Sequence, residues 1–164
     1  KLIMRMFILT LMVTGALSLS VAAQSNSGIQ GVWKLTEVTT TGPEGKTMKA
    51  TQPGMYLFTK THYSIISVTG DKPREVMKDY STATQEQLLS IFVNGFRANA
   101  GTYEVKGGKL TVRPMIAKSP GYMTEGTWDT STMKIDGNMM TLTSEVSNSG
   151  PTKNPTTFKL MRVE

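Results

Sequence analysis

The chain has 164 residues, with 18 basic and 12 acidic side chains, one histidine and no cysteine. That length suits a single domain with a real core, and the lack of cysteine excludes disulfides, thiolate metal sites, Fe–S clusters and cysteine nucleophiles. His62 alone leaves little room for zinc chemistry or a histidine-based triad, and a charged fraction of 18% excludes a long acidic or basic tail.

Lys1 and Arg5 precede an apolar run from Phe7 to Val21 that ends in Val21-Ala22-Ala23. A basic start, an apolar stretch and a small-residue cleavage site predict a secretory signal over residues 1–23, followed by one domain over 24–164. The run is short for a membrane span and is broken by Thr, Gly and Ser, with an uncleaved N-terminal anchor as the alternative. The sequence opens on Lys1, so translation is expected to start at Met4, Met6 or upstream. Without cysteine there is no attachment point for a lipoprotein anchor, and the expected location is periplasmic or extracellular, with no membrane span after cleavage. Loss of Lys1 and Arg5 lowers the net charge from +6 to +4. The remaining charges are dispersed, with Lys34, Lys60, Lys106, Lys109, Lys134 and Lys159 set singly. Nucleic acid is therefore not an expected partner, because its binding needs clustered basic residues beside stacking aromatics.

Residues 29–69 read as strands. Trp33 and Leu35 alternate with Lys34 and Thr36, the period of a half-buried strand. Gly42-Pro43-Glu44-Gly45 and Pro53-Gly54 bracket a loop, and strands follow over Met55–Lys60 and His62–Thr69, rich in aromatic and β-branched residues. Gly70 to Ala83 is polar, with Asp71, Glu75 and Asp79 among basic residues as a solvated loop. Thr84 and Gln87 have capping-box spacing. They open a helix over 84–97 whose apolar face is Leu88, Leu89, Phe92, Val93 and Phe96.

Strands return at Thr102–Lys106 and Lys109–Met115, joined by Gly107-Gly108, a pair suited to a tight hairpin. Tyr122–Thr130 and Met133–Ile135 read as a strand broken near Thr130-Ser131. Asp136-Gly137-Asn138 signals another hairpin before Met140–Val146. Asn148 to Pro155 is a polar loop, and Thr157–Val163 closes the chain. About eight strands with short connections predict an all-β, eight-stranded antiparallel up-and-down barrel, with one helix packed on it or capping it. Such a barrel has room inside for side chains or one small ligand.

Gly31-Val32-Trp33 places a Gly-x-Trp in the first strand, which resembles lipocalin and calycin barrels. The wider succession is Gly31-Val32-Trp33-Lys34-Leu35, Pro53-Gly54-Met55-Tyr56-Leu57-Phe58-Thr59, His62-Tyr63-Ser64, a helix, and Ala98-Asn99-Ala100-Gly101-Thr102-Tyr103-Glu104-Val105. It resembles the bacterial lipocalin-like domain family, a calycin-type barrel, over nearly all of residues 28–164. The resemblance implies the barrel, an apolar cavity and extracytoplasmic use, and it carries no substrate with the fold. In calycins a basic residue near the chain end packs on the first-strand tryptophan, and the resemblance gives Arg162 that structural role against Trp33.

Side-chain parity pairs Tyr56 with Phe58, Tyr63 with Ile65, Tyr103 with Val105, and Gly126 with Trp128. Facing inward, these rings would line a pocket with a few polar tips; the alternative is that they fill a solid core. Met115, Met123, Met139 and Met140 suit an adaptable apolar pocket or plain gap-filling. The ligand-binding candidates are therefore Tyr56, Phe58, Tyr63, Ile65, Tyr103, Met115 and Trp128. Arg113 shares parity with Lys109 and Thr111 and should face outward unless Pro114 marks a bulge; buried, it would hold a carboxylate. His62 reads as a turn residue with a structural hydrogen bond rather than a base or a rim ligand.

Ser131-Thr132-Met133-Lys134 matches Ser-x-x-Lys without the partner motifs of that enzyme class. Gly108-Lys109-Leu110-Thr111 echoes a phosphate loop but is explained by its hairpin. No catalytic residue, cofactor or metal is expected. The leading expectation is a barrel that binds a small hydrophobic ligand. The alternatives are a filled barrel acting as a protein-interaction or inhibitor module, and an isomerase or hydrolase working in the lumen. An outer-membrane barrel fits poorly, because lysines punctuate the strands.

Overall fold

The computed structural model describes residues 28–50, 52–68, 70, 72–74 and 76–164. The predicted signal over 1–23 lies outside the described residues. Within them no helix is long and apolar enough to cross a membrane.

The described residues form ten strands. They are β1 (Gly31–Thr40), β2 (Thr47–Lys49), β3 (Gly54–Phe58), β4 (His62–Val68) and β5 (Phe96–Lys106), then β6 (Lys109–Ala117), β7 (Asp129–Asp136), β8 (Met139–Ser147), β9 (Gly150–Pro151) and β10 (Thr156–Arg162). The hydrogen-bonded order is β10-β1-β3-β4-β5-β6-β7-β8, and β10 also pairs with β8, which closes the sheet on itself. Every pairing is antiparallel, so eight strands make an up-and-down barrel, while β2 adds to β1 and β9 to β8. Closure removes the free edges that an open sheet of these strands would expose.

Period-2 patterning decides which residues fill the barrel. On β3, Tyr56 and Phe58 are buried while Met55 is exposed; on β4, Tyr63, Ile65 and Ser67 are buried. One cluster joins Trp33, Leu35, Tyr56, Phe58, Tyr63, Tyr103, Leu110, Met133, Met140 and Leu160. Burying each large apolar side chain contributes about 1.5–3 kcal/mol, and these residues come from eight different strands, so the cluster ties the whole circuit together.

The two ends differ. At one end, the β5–β6 hairpin turns through Gly107-Gly108, whose φ values of 57° and 74° only glycine adopts without strain. Here Tyr103 Oη donates to the Thr59 carbonyl at 2.6 Å, and Ile29, Trp33 and Arg162 shut the barrel. At the other end, the long connection between β4 and β5 carries α1 (Gln85–Leu88), which runs on as a wider π-type turn over Leu89–Asn94.

Three elements differ from the sequence expectation. The helix was expected over 84–97 but ends at Asn94. Its capping box is present, with Gln87 N–H donating to Thr84 Oγ1 at 3.2 Å and Thr84 N–H donating to Gln87 Oε1 at 3.0 Å. The widened turn rotates the expected apolar face, so Ile91 is the buried residue while Leu89, Phe92 and Val93 are exposed. The Lys118 ammonium, just past the end of β6, donates to the carbonyls of Val93 and Phe96, where the helix gives way to strand. β5 therefore starts at Phe96, six residues earlier than its aromatic pattern shows. Residues 122–128 are not strand: Pro120–Met123 is a 3₁₀ turn, followed by a loop with Gly126 at φ 79°. β7 then runs unbroken through Thr130-Ser131, where the expected break is a register shift against β8.

Candidate functional site

The barrel is filled at the Trp33 end and hollow at the other. A half-enclosed cavity of about 250 Å³ lies inside the open end, walled by Leu35, Val38, Val68 and Phe158 and floored by Ser67 and Arg97. Gln52 and Gly70 belong to its rim. The cavity sits here because the inward residues of β1, β4 and β10 become smaller or more polar beyond the aromatic cluster. Arg97 also borders a second depression of about 260 Å³, with Asn99 and Tyr122, where the upper part of β6 parts from β7.

Polar atoms collect between the cavity and the filled core. Across β3, β4 and β5, Tyr56, Ile65 and Asn99 are in register, as are Gly54, Ser67 and Arg97 one step nearer the opening. Tyr56 is 1% exposed, Tyr63 3% and Asn99 7%. The two phenol oxygens and Asn99 Oδ1 are buried without a hydrogen-bond partner among the described residues. Buried polar atoms are ordinarily paired, at a cost of about 1–3 kcal/mol when they are not. Arg97 is half-buried, its guanidinium carbon 5.4 Å from the Phe158 ring centre. Asp129, opposite Val112, is half-buried on the far side of the lumen.

The titrating groups sense one another. Burial pushes the Tyr56 and Tyr63 phenols up, and the Arg97 charge pulls back against it in both. Burial also raises the Asp129 carboxyl above its ordinary range, again opposed by Arg97. The phenols therefore stay neutral and act as O–H donors, while Arg97 is the fixed positive charge. Such a set binds and orients an acceptor rather than moving protons.

Of the seven cavity residues proposed from sequence, Tyr56, Phe58, Tyr63, Ile65 and Tyr103 all point into the barrel and are buried. Phe58 and Tyr103 meet edge to face, 5.3 Å apart, deep in the filled part. Met115 lies elsewhere: it is 66% exposed on the outer surface, on the same outward parity as Arg113, and it has no partner where the register shifts opposite Ala100-Gly101. Trp128 is also outside, half-buried in a shallow depression with Thr102, Arg113 and Met123. It belongs to the loop before β7 and not to an inward strand face.

Met140 is fully buried and Met139 half-buried, so neither borders the cavity. Arg113 faces outward, 3.8 Å from Glu104, as its parity required. His62 is exposed, its Nδ1 2.8 Å from the neighbouring Thr61 hydroxyl. Arg97, Asn99 and Asp129 were not singled out from sequence. Counting back in twos from Tyr103 through Gly101 reaches Asn99 and Arg97, and that signal could have found them.

The last residues complete the closed end. Arg162 pairs with Trp33 across β10 and β1, with its guanidinium carbon 4.1 Å from the ring centre. That lock, a closed circuit of eight antiparallel strands and one open mouth decide the architecture. The fold is a lipocalin-like up-and-down barrel.

No protein-family model matches the sequence, and no curated protein matches it either. Among solved structures, the chain is similar to a lipocalin-like protein from Bacteroides uniformis, at 14% identity and a TM-score of 0.43, over 82% of this chain and 98% of that one. It is also similar to an uncharacterized protein from Bacteroides eggerthii, at 11% identity and a TM-score of 0.41, over 79% and 97% of the two chains.

Proposed function

We propose that the protein is a periplasmic or secreted carrier that holds one small, largely apolar molecule in the open half of its barrel. The supporting observation is the cavity of about 250 Å³ at the open end, with Leu35, Val38 and Phe158 in its walls and Ser67 and Arg97 at its floor. Affinity would come from apolar surface removed from water, about 25 cal/mol per Å² before the costs of association. The cavity is smaller than the roughly 300–1,000 Å³ of drug-sized sites, so the ligand is small. The location rests on the signal-like pattern of residues 1–23.

Native mass spectrometry of the protein purified from its own host tests this reading. A stoichiometric adduct that disappears on denaturation supports it and gives the ligand mass. A bare mass from material kept in its native medium counts against it.

One observation favours a second reading, a protein-interaction module. Met55 and Ile66 are cross-strand partners, 50% and 48% exposed, and Ile116 is 65% exposed beyond an outer groove of about 440 Å³. Such contiguous apolar surface marks contact sites on soluble proteins. Charged substitutions at Ile66 and Ile116 that abolish capture of a partner without altering the adduct would support it.

A further inference from the structure

We propose that the groove on the outer face of β4, β5 and β6 receives an amphipathic helix of a partner protein, its apolar stripe seated on Ala98 and Ala100 and acidic residues along its flanks. This rests on the protein-contact reading above, names the partner, and does not depend on the cavity inside the barrel.

The shape of the groove follows from side-chain size across three paired strands. Ala98 and Ala100 on β5 keep the floor low, while Ile66 on β4 and Ile116 on β6 stand exposed as ridges on either side. Met55, the partner of Ile66, and Phe96, at the start of β5, extend the apolar surface. Neighbouring strands lie about 4.8 Å apart, so ridges two strands apart leave a trough about 10 Å wide, the diameter of a helix. The floor strand β5 is paired with β4 on one side and with β6 on the other. It offers no free edge that an extended peptide could join as a further strand. A segment lying on this apolar floor must satisfy its own backbone groups, and a helix does so.

Charge selects the flanks of the partner helix. Lys34 ends the outward row Lys34, Met55, Ile66, Ala98, and Arg113, opposite Thr102, stands in the row beyond Ala100 and Ile116. At the upper end the Arg74 guanidinium carbon lies 5.3 Å from the centre of the Phe96 ring, and Lys118 belongs to the groove lining. Among the described residues, the outward rows of β4, β5 and β6 from Phe96 to Thr102 hold no carboxylate. The first on β5, Glu104, comes one row later and faces Arg113 at 3.8 Å. Four cations around an uncharged trough complement acidic residues on either side of an apolar stripe. A second copy docked face to face would bring two like-charged rims together. A bilayer would rest on the isoleucine ridges and leave the trough between them unfilled.

The test uses the full chain and two labelled synthetic peptides about 20 residues long, enough to be helical in water. Both carry the same leucine and alanine stripe; one is flanked by glutamate and its twin by lysine. Fluorescence anisotropy at low salt should show the glutamate peptide binding about tenfold more tightly than its twin, a preference that shrinks as salt screens the rim. Ile66→Asp places a charge on one ridge and should abolish binding; Ile116→Asp does the same on the other ridge and serves if the first variant fails to fold. Lys34→Glu combined with Arg113→Glu should remove or reverse the preference. Equal binding of the two peptides, lost in Ile66→Asp, would overturn the acidic partner and leave the protein-contact reading standing. Binding that survives both aspartate variants, or no binding of either peptide, would overturn the helical partner. A dimer in sedimentation that Ile66→Asp dissociates would give the groove to a second copy. Flotation with phosphatidylglycerol vesicles that Ile66→Asp abolishes would give it to a lipid surface, and either result overturns the proposal.

Discussion

Arg162 and Trp33 close the barrel between them: the guanidinium carbon stands 4.1 Å from the indole ring centre, and the indole N–H donates to the Ile29 carbonyl at 2.8 Å. Arg162 also donates to the Gly28 carbonyl at 2.6 Å and to the Gln30 carbonyl. One side chain thus fastens the segment preceding β1 across the end of the strands. Lysine can supply the charge but not the planar fork that serves two carbonyls at once. Arg162→Lys is expected to cost about 2 kcal/mol, from loss of the ring contact and one charge-assisted hydrogen bond. Urea unfolding measures this. An unchanged midpoint would mean that the aromatic cluster alone holds this end shut.

Tyr56 carries a hydroxyl for which the described fold supplies no partner. Its hydroxyl is buried without a partner among the described residues, so removing it relieves a desolvation penalty in the empty barrel. Tyr56→Phe is therefore expected to raise the stability of the protein by about 1 kcal/mol, read as a higher urea midpoint. A loss of stability would show that the hydroxyl is already satisfied when the barrel is empty.

The barrel was readable because alternation is a strong signal wherever one face is apolar. Tyr56 with Phe58 and Tyr63 with Ile65 each declare their inward face in three residues. The functional end was hidden because it is where alternation weakens. Arg97 and Asn99 follow a helix without a break in composition, so Arg97 was absorbed into the helix and Asn99 into the connection. The Gly126 turn takes Trp128 out of the strand, and Met115 stands on the outward parity of Arg113, so alternation along β6 already placed it outside. The register shift at Ala100-Gly101 flips the parity beyond it, so Ile116 is exposed although it alternates with the buried Leu110 and Val112.

Gly101 supplies the space that the shift requires. It is buried, pairs with Pro114, and a Cβ there would run into the Arg113 carbonyl oxygen, with the Met115 nitrogen 2.9 Å away. Pro114 lacks an N–H and is tolerated because the ladder is already interrupted. Gly101→Ala must push β5 and β6 apart and is expected to cost about 1–3 kcal/mol. Gly121→Ala, where a Cβ meets nothing within 4 Å, is the matched control and should leave the thermal midpoint unmoved. Similar midpoints for the two variants would show that β6 yields freely at this point.

Asp129 gives the barrel a pH dependence of definite sign. Burial is the larger influence on its carboxyl and raises it, while the Arg97 charge opposes this. A carboxyl that is harder to ionise in the folded than in the unfolded chain binds more protons when folded. Stability from this group is then greatest in acid, below the ordinary value of 3.8. It falls as pH rises from there through the raised value, and is level above it. Asp129→Asn removes the ionisation and should be the more stable form at neutral pH, the gap between the two proteins closing as the solution is acidified. Urea midpoints for both proteins between about pH 3 and pH 7 measure that gap. Other carboxyls pull the other way in both proteins, Asp79 held low by Ser81 and Glu145 by Lys109, so only the difference isolates Asp129. A gap that widens toward acid would mean that the attraction of Arg97 outweighs burial and holds Asp129 as a carboxylate.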